Sequence, residues 1–146
     1  MGDCETLANT YINELAQQDI LIDGAFEALQ KITAVFDVYI ITNGLSRVQR
    51  GRFGKSPVTK LVKGLFISDE MGVQKPSKAY FDKVLETIPE KDLTKILVVG
   101  DSLTSDMQGG KNAGLTTCLY DLKNKITLPH ALCDFKISHL EDLLQF

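Results

Sequence analysis

The segment Lys95–Gly114, KILVVGDSLTSDMQGGKNAG, constrains the fold more than any other part of the chain. The unbroken apolar run Ile96–Val99 is typical of a parallel strand that is buried on both faces. Gly100 ends this run, and Ser102 is a good N-cap for a helix that follows it. The segment therefore predicts a buried strand, a short turn and a helix, as in an α/β fold.

Two aspartates follow this strand at its carboxyl end. Asp101 comes directly after Gly100, and Asp106 lies about one helical turn further on. Two carboxylates at the carboxyl end of a buried parallel strand form a hard-oxygen site suited to Mg²⁺. The same residues also fit an ordinary structural interpretation. Asp101 is then a turn residue, and Asp106 is a first-turn acid favoured by the helix dipole.

Composition and charge narrow the class of protein. With 146 residues, 44% of them hydrophobic and 24% charged, the chain is long enough for one soluble domain with a real core. A net charge of -3 argues against nucleic acid or an anionic membrane as partner. No apolar run is long enough to span a bilayer. Cys4, Cys118 and Cys133 have no CxxC spacing, which is typical of free thiols in a reducing cytoplasm.

Helix and strand patterns alternate along the chain. Apolar residues at helical spacing predict helices over residues 5–18, 23–33 and 76–85. Short apolar runs predict strands over residues 36–41, 65–68, 96–99, 116–120 and 134–137. Asp23 is the predicted N-cap of the second helix, and Pro76 is the predicted first residue of the third. This alternation predicts a parallel sheet covered by helices on both faces.

Further polar groups stand where strands end or helices begin. Thr42 follows the strand over residues 36–41, and Lys75 precedes a helix. Because ligands of open α/β sheets bind beyond the carboxyl ends of the strands, both are expected to converge with Asp101 and Asp106. A hydroxyl, a lysine and an aspartate-held Mg²⁺ together suit phosphate chemistry. Taken singly, Thr42 also fits a strand-end cap and Lys75 a solvated surface lysine.

Three segments, in this order, resemble the second, third and fourth motifs of the haloacid dehalogenase-like (HAD) phosphohydrolases. They are YIITNG at Tyr39–Gly44, GVQKPSKAYF at Gly72–Phe81 and VVGDSLTSDMQGGKNAG at Val98–Gly114. The sequences of these motifs are most similar to those of the pyrimidine-type nucleoside 5′-monophosphatase branch. The resemblance implies a three-layer Rossmann-like α/β core with a mostly parallel sheet. It also implies Mg²⁺-dependent hydrolysis of phosphate monoesters, with nucleoside 5′-monophosphates as substrates and an aspartyl-phosphate intermediate.

The resemblance implies a role for each candidate site residue. Thr42 and Asn43 would bind the phosphoryl group, and Lys75 would bind the phosphate and steady the nucleophile. Asp101 would ligate Mg²⁺, and Asp106 would support the metal directly or through water. The implied catalytic residues are thus Thr42, Lys75 and Asp101, and the implied partner is a small phosphorylated substrate, a nucleotide.

One motif of the family is absent from these 146 residues. The first motif, a DxDxT-like sequence, supplies the nucleophilic aspartate and the acid–base aspartate, and its strand lies in the middle of the sheet. The chain is therefore similar to the C-terminal part of such a phosphatase. Residues 1–19 would be the remnant of a helical cap, and residues 20–146 a partial core that lacks the central first strand. Exposed apolar strand edges make an N-terminal fragment or a second copy the expected protein partner.

Two other function classes fit parts of the pattern. A receiver-like signalling domain also has a parallel sheet, an acidic metal site, a threonine and a lysine. In that class the acids come first, whereas here Thr42 and Lys75 precede Asp101 and Asp106. The main alternative to a phosphatase is a catalytically inactive interaction module or one half of a split hydrolase.

Overall fold

The computed structural model describes residues 3–18 and 20–146. The chain divides into two compact units after Glu70. Each unit contains a parallel sheet, so the predicted α/β class and parallel pairing are confirmed. The predicted boundary between cap remnant and core falls at Asp19, which lies outside the described residues together with Met1 and Gly2. That boundary stays a prediction.

The first unit carries two parallel strands and the helices around them. Its elements are α1 (Asp3–Gln17), α2 (Ala25–Thr33), β1 (Tyr39–Thr42), α3 (Ser46–Lys55) and β2 (Gly64–Ile67), and α4 (Ser68–Met71) begins in it. Tyr39 lies opposite Gly64 and Thr42 opposite Ile67, so β1 and β2 end at the same level. The predicted helices over residues 5–18 and 23–33 are confirmed as α1 and α2.

The second unit is built on a parallel sheet of three strands. Its elements are α5 (Lys78–Thr87), β3 (Leu97–Gly100), α6 (Gln108–Asn112), β4 (Thr116–Tyr120) and β5 (Phe135–Ile137). The strands lie in the order β3-β4-β5. Its core is formed by buried side chains from helices and strands alike, among them Tyr80, Phe81, Val98, Met107, Cys118 and Leu119. The strand predicted over residues 116–120 is confirmed in full as β4.

Among the described residues, β1 and β3 are each an edge strand of their own sheet. An edge strand of this kind presents unpaired backbone N–H and C=O groups to a further strand.

Two predicted positions near α2 are wrong. Asp23 does not cap this helix, since the N-cap is Gly24, whose φ of 73° places it in the left-handed region and which provides no side-chain cap. β1 begins at Tyr39 rather than at Phe36. The Phe36 N–H donates to the carbonyl of Ile32 at 2.9 Å, so the turn that ends α2 extends further than its apolar pattern indicated.

Two predicted helix starts are also corrected. Pro76 is not the first residue of α5, because the next residue, Ser77, is the N-cap of this helix. The helix after β3 opens as a π-helical turn, Leu103–Met107, which α6 continues. Ser102 caps this turn by accepting the N–H of Ser105 at 3.2 Å, so the predicted capping role of Ser102 is confirmed.

Cys118 and Cys133 are buried free thiols. Burial raises the pKa of the Cys118 thiol to about 11, so it remains protonated at neutral pH. The side chain of Cys4 lies outside the part of the chain whose side chains the structure describes, so a free thiol at Cys4 stays a prediction. No helix among the described residues has both the length and the apolar character needed to cross a membrane.

Two helical glycines allow a matched test of packing. A Cβ at Gly109 would lie 2.3 Å from Cε2 of the buried Phe81, whereas a Cβ at Gly54 meets no atom within 4 Å. Gly109→Ala should therefore lower the free energy of unfolding by about 1–3 kcal/mol through overpacking. Gly54→Ala should raise it by about 0.5–1 kcal/mol, because alanine is the better helix former. Urea denaturation measures both, and equal changes would contradict the tight contact.

Candidate active site

The phosphate-binding candidates Thr42 and Asn43 lie at the carboxyl end of β1. Both are half-buried, and the Thr42 hydroxyl lies 3.4 Å from the Asn43 carbonyl oxygen, at the outer limit of a hydrogen bond. Gly44 follows with a φ of 149°, and a Cβ there would lie 2.6 Å from Nε2 of Gln49. The backbone conformation therefore favours glycine at this turn, whereas the Gln49 amide is the end of a flexible side chain that can move aside.

Lys75 and Asp106 form a buried ion pair in the second unit. Nζ of Lys75 lies 2.5 Å from Oδ1 of Asp106, and each side chain is only 9% exposed. The other carboxylate oxygen of Asp106 accepts the backbone N–H of Ser102 at 3.2 Å. Lys75 is thus not a solvated surface lysine, and Asp106 is not an ordinary first-turn acid. The pair fixes a positive charge immediately before α5.

Local backbone geometry allows the Asp106 carboxylate to reach this position. A Cβ at Gly100 would lie 2.3 Å from Oδ2 of Asp106, so only glycine leaves room for the carboxylate beside the end of β3. The π-helical turn Leu103–Met107 carries Asp106. Such turns are rare and occur frequently at functional sites. The sequence pattern indicated the aspartate, but it did not reveal the π-helical geometry.

Asp101 is exposed directly after β3, and no hydrogen bond or ion pair joins it to another described residue. It lines an open pocket of about 270 Å³. The other lining residues come from the turn after β3, the end of β4 and the segment that follows β4, namely Leu103, Thr104, Leu119, Tyr120, Asp121, Lys125 and Ile126. The backbone N–H of Ile126 donates to the Asp121 carboxylate at 2.7 Å and holds the pKa of that carboxyl below its usual value.

Sequence reasoning did not identify Thr104, Asp121 or Lys125 as neighbours of Asp101. Thr104 lies within a motif in which the two aspartates carry the prediction, and Asp121 and Lys125 follow a different strand. Their position after the adjacent strand β4 was the one available signal, because the carboxyl ends of neighbouring parallel strands share one edge of the sheet.

The donor set fits part of a Mg²⁺ site. Asp101 offers an exposed carboxylate, a hard oxygen ligand of the kind that Mg²⁺ prefers. Both carboxylate oxygens of Asp106 are engaged, by Lys75 and by Ser102, which suits a supporting role through water better than direct ligation. In the described part of the chain, no group of three or more His, Cys, Asp or Glu side chains is placed to hold a metal ion.

Comparison with known proteins identifies the family. The sequence model of the haloacid dehalogenase-like hydrolases matches residues 3–114. The chain belongs to this family. The buried Lys75–Asp106 pair and the strand-end residue Asp101 thus lie in segments that the family match covers.

Curated relatives extend over almost the whole chain. YfnB of Bacillus subtilis (strain 168), named as a HAD hydrolase, is 39% identical over 97% of this chain and 60% of its own length. The pyrimidine 5′-nucleotidase PynA of Streptococcus pneumoniae is 34% identical over 97% of this chain and 60% of its own. The pyrimidine 5′-nucleotidase YjjG of Escherichia coli is 34% identical over 95% and 62%. The chain therefore spans about 60% of the length of the relatives that it matches.

A solved structure supports the same assignment. The crystal structure of YfnB bound to magnesium superimposes with a TM-score of 0.88 at 38% identity, covering 96% of this chain and 61% of that protein. The HAD-like fold that the sequence resemblance implied is therefore confirmed.

Proposed function

We propose that this chain supplies the phosphate- and metal-binding part of a Mg²⁺-dependent HAD phosphatase that hydrolyses nucleoside 5′-monophosphates. The buried Lys75–Asp106 pair is the observation that carries the proposal. A buried lysine is costly, and a lysine that a carboxylate holds in one orientation suits binding of a phosphoryl group. The names of PynA and YjjG, both pyrimidine 5′-nucleotidases, favour this substrate class.

Each residue has a defined task in this proposal. The Thr42 hydroxyl and Asn43 bind phosphoryl oxygens, and the Lys75 ammonium, oriented by Asp106, neutralises their charge. Asp101 ligates Mg²⁺, and Asp106 supports the metal site through water. When bound, Mg²⁺ adds positive charge where the phosphoryl group is transferred.

The nucleophile is proposed to come from outside these residues. A DxDxT strand would provide the attacking aspartate, which forms the aspartyl-phosphate, and the acid–base aspartate. In this proposal residues 1–19 are the end of a helical cap, and residues 20–146 are the partial core. The edge positions of β1 and β3 support a further strand as partner. Hydrolysis of nucleoside 5′-monophosphates by the chain joined to such a segment is the direct test.

A second candidate is an inactive interaction module or one half of a split hydrolase. The edge positions of β1 and β3 in the described part of the chain support it, since edge strands can bind a further strand. The same strand edges would then serve to bind a second copy or an N-terminal fragment. Inactivity of the joined protein would favour this candidate over the phosphatase.

The metal site gives a separate prediction. Mg²⁺ should bind weakly to this chain, with a Kd in the millimolar range, because one exposed carboxylate gives only part of an oxygen shell. Titration with Mg²⁺, followed by NMR, should shift signals near Asp101. Asp101→Ala should remove these shifts, whereas Asp121→Asn, at another acid of the same pocket, should retain them. Absence of any shift near Asp101 at high millimolar Mg²⁺ would count against the site.

A further inference from the structure

The loop that follows Thr42 is held by three consecutive residues, Ser68, Asp69 and Glu70, which we name the loop clamp. We propose that the loop clamp positions residues 43–45 for phosphate binding. This inference rests on the proposed function for its ligand, since it concerns the phosphate site at Thr42. It assigns the clamp residues a positioning role and gives them no contact with phosphate.

Ser68 and Asp69 bind the backbone on either side of Leu45. The buried Ser68 hydroxyl accepts the N–H of Gly44 at 3.0 Å. Oδ2 of Asp69 accepts the N–H of Ser46, the first residue of α3, at 2.9 Å. The two contacts thus fix both the exit from β1 and the entry into α3.

Glu70 anchors the clamp to the body of α3. Its two carboxylate oxygens accept bonds from Nε and Nη2 of Arg50 at 2.5 and 2.6 Å, and it also accepts the Ser46 hydroxyl. The Arg50 and Ser46 bonds hold the pKa of Glu70 below its usual value, so it stays ionised at neutral pH. A bidentate carboxylate–guanidinium pair adds geometric specificity as well as attraction.

The register of β1 against β2 places the loop clamp beside the loop that it holds. Thr42 lies opposite Ile67, so the loop leaving β1 and the clamp leaving β2 start side by side. From within its own unit the loop is also approached by Gln49, whose Nε2 lies 3.4 Å from the Asn43 carbonyl oxygen. The Gly44 N–H is committed to Ser68. The clamp thus acts on the loop through Gly44 and leaves phosphate binding to the residues named in the proposed function, Thr42 and Asn43.

The charge of the clamp argues for positioning rather than attraction. Carboxylates placed near a phosphate site repel the anion, so Asp69 and Glu70 have no favourable electrostatic role there. Their observed partners are the Ser46 N–H and the Arg50 guanidinium, which are groups of α3. What these acids contribute is a fixed path for the loop between β1 and α3, and binding depends steeply on such geometry.

Inorganic phosphate is the probe for the test. The 146-residue chain is titrated with phosphate while the amide signals of Thr42 and Asn43 are followed by NMR. Ser68→Ala should weaken the apparent Kd about 5–10-fold, the effect of losing one well-placed hydrogen bond. Ser68→Thr, which retains a hydroxyl, should restore most of the affinity. Ser56→Ala is the matched control, since Ser56 caps the turn at Pro57–Lys60 in the same unit and should leave the Kd unchanged.

Asp69→Ala separates positioning from electrostatics. Removing a negative charge near the site would tighten phosphate binding if charge alone mattered, whereas loss of the clamp should weaken it about 3-fold. Asp69 is exposed, so this variant also decides the question if Ser68→Ala does not fold.

The outcomes distinguish failure of the loop clamp from failure of the proposed phosphate site. Unchanged affinity in Ser68→Ala, or unchanged or tighter binding in Asp69→Ala, overturns the loop clamp and leaves the proposed phosphate site intact. A wild-type chain whose Thr42 and Asn43 signals do not respond to phosphate overturns the proposed phosphate site, and the clamp with it.

Discussion

Joining this chain to an N-terminal segment with a DxDxT strand is expected to produce Mg²⁺-dependent hydrolysis of nucleoside 5′-monophosphates. The 146-residue chain alone should hydrolyse them, and simple aryl phosphates, at a negligible rate. The reason is that Thr42, Lys75 and a metal at Asp101 can bind and polarise a phosphate ester but cannot attack phosphorus. Loss of a nucleophile commonly costs several powers of ten in kcat while some binding remains. An assay of phosphate release compares the hydrolysis rates of the joined protein and of the chain alone.

Point variants of the joined protein test the assigned residues. Asp101→Ala and Lys75→Ala should each lower kcat by about 10²–10³-fold, the usual effect of removing one group that stabilises transition-state charge. Lys78→Ala is the matched control. Lys78 is an exposed lysine that pairs with Asp82 one turn along α5, so its loss should leave activity unchanged.

Two results would contradict the hypothesis that a DxDxT segment completes an active phosphatase. Strong Mg²⁺-dependent turnover by the 146-residue chain, abolished in Asp101→Ala, would mean that the nucleophile lies within these residues. A folded, joined protein without activity would favour the interaction module.

The predictions that succeeded rest on strong local signals. The strand Thr116–Tyr120 was predicted in full because a compact apolar run between turn residues leaves few alternatives. The site roles of Lys75, Asp101 and Asp106, which rest on motif order, stay predictions. The motif did not reveal that Lys75 and Asp106 pair with each other, since they are 31 positions apart and meet only through the fold.

The misses have physical causes. Ser68 is predicted as the last residue of a strand but begins α4, because polar residues without apolar spacing carry no periodic signal for a helix. The contacts of the loop clamp with Gly44 and Ser46 depend on the register of β1 against β2, which no local pattern specifies. Aspartate is a favourable N-cap residue, which is why Asp23 is predicted to cap α2. The N-cap is Gly24 instead, because the chain enters α2 through a residue in the left-handed region.

Removing one partner of the buried ion pair is expected to destabilise the fold strongly. Asp106→Ala leaves the Lys75 ammonium, 9% exposed, without this counter-charge and should cost about 3–5 kcal/mol of unfolding free energy. Asp82→Ala breaks an exposed lysine–aspartate pair in the same unit and should cost about 0.3–0.5 kcal/mol. Urea denaturation compares the two variants.

The double variant Lys75→Met/Asp106→Leu separates stability from chemistry. Replacing both charges by apolar side chains of similar size removes the desolvation cost, so most of the stability lost in Asp106→Ala should return. In the joined protein the same double variant should lower kcat by about 10²–10³-fold, as Lys75→Ala does, because it has no ammonium to bind phosphate. Stability equal to that of Asp106→Ala would contradict the ion-pair explanation. Activity near that of the unaltered joined protein would remove Lys75 from the proposed site.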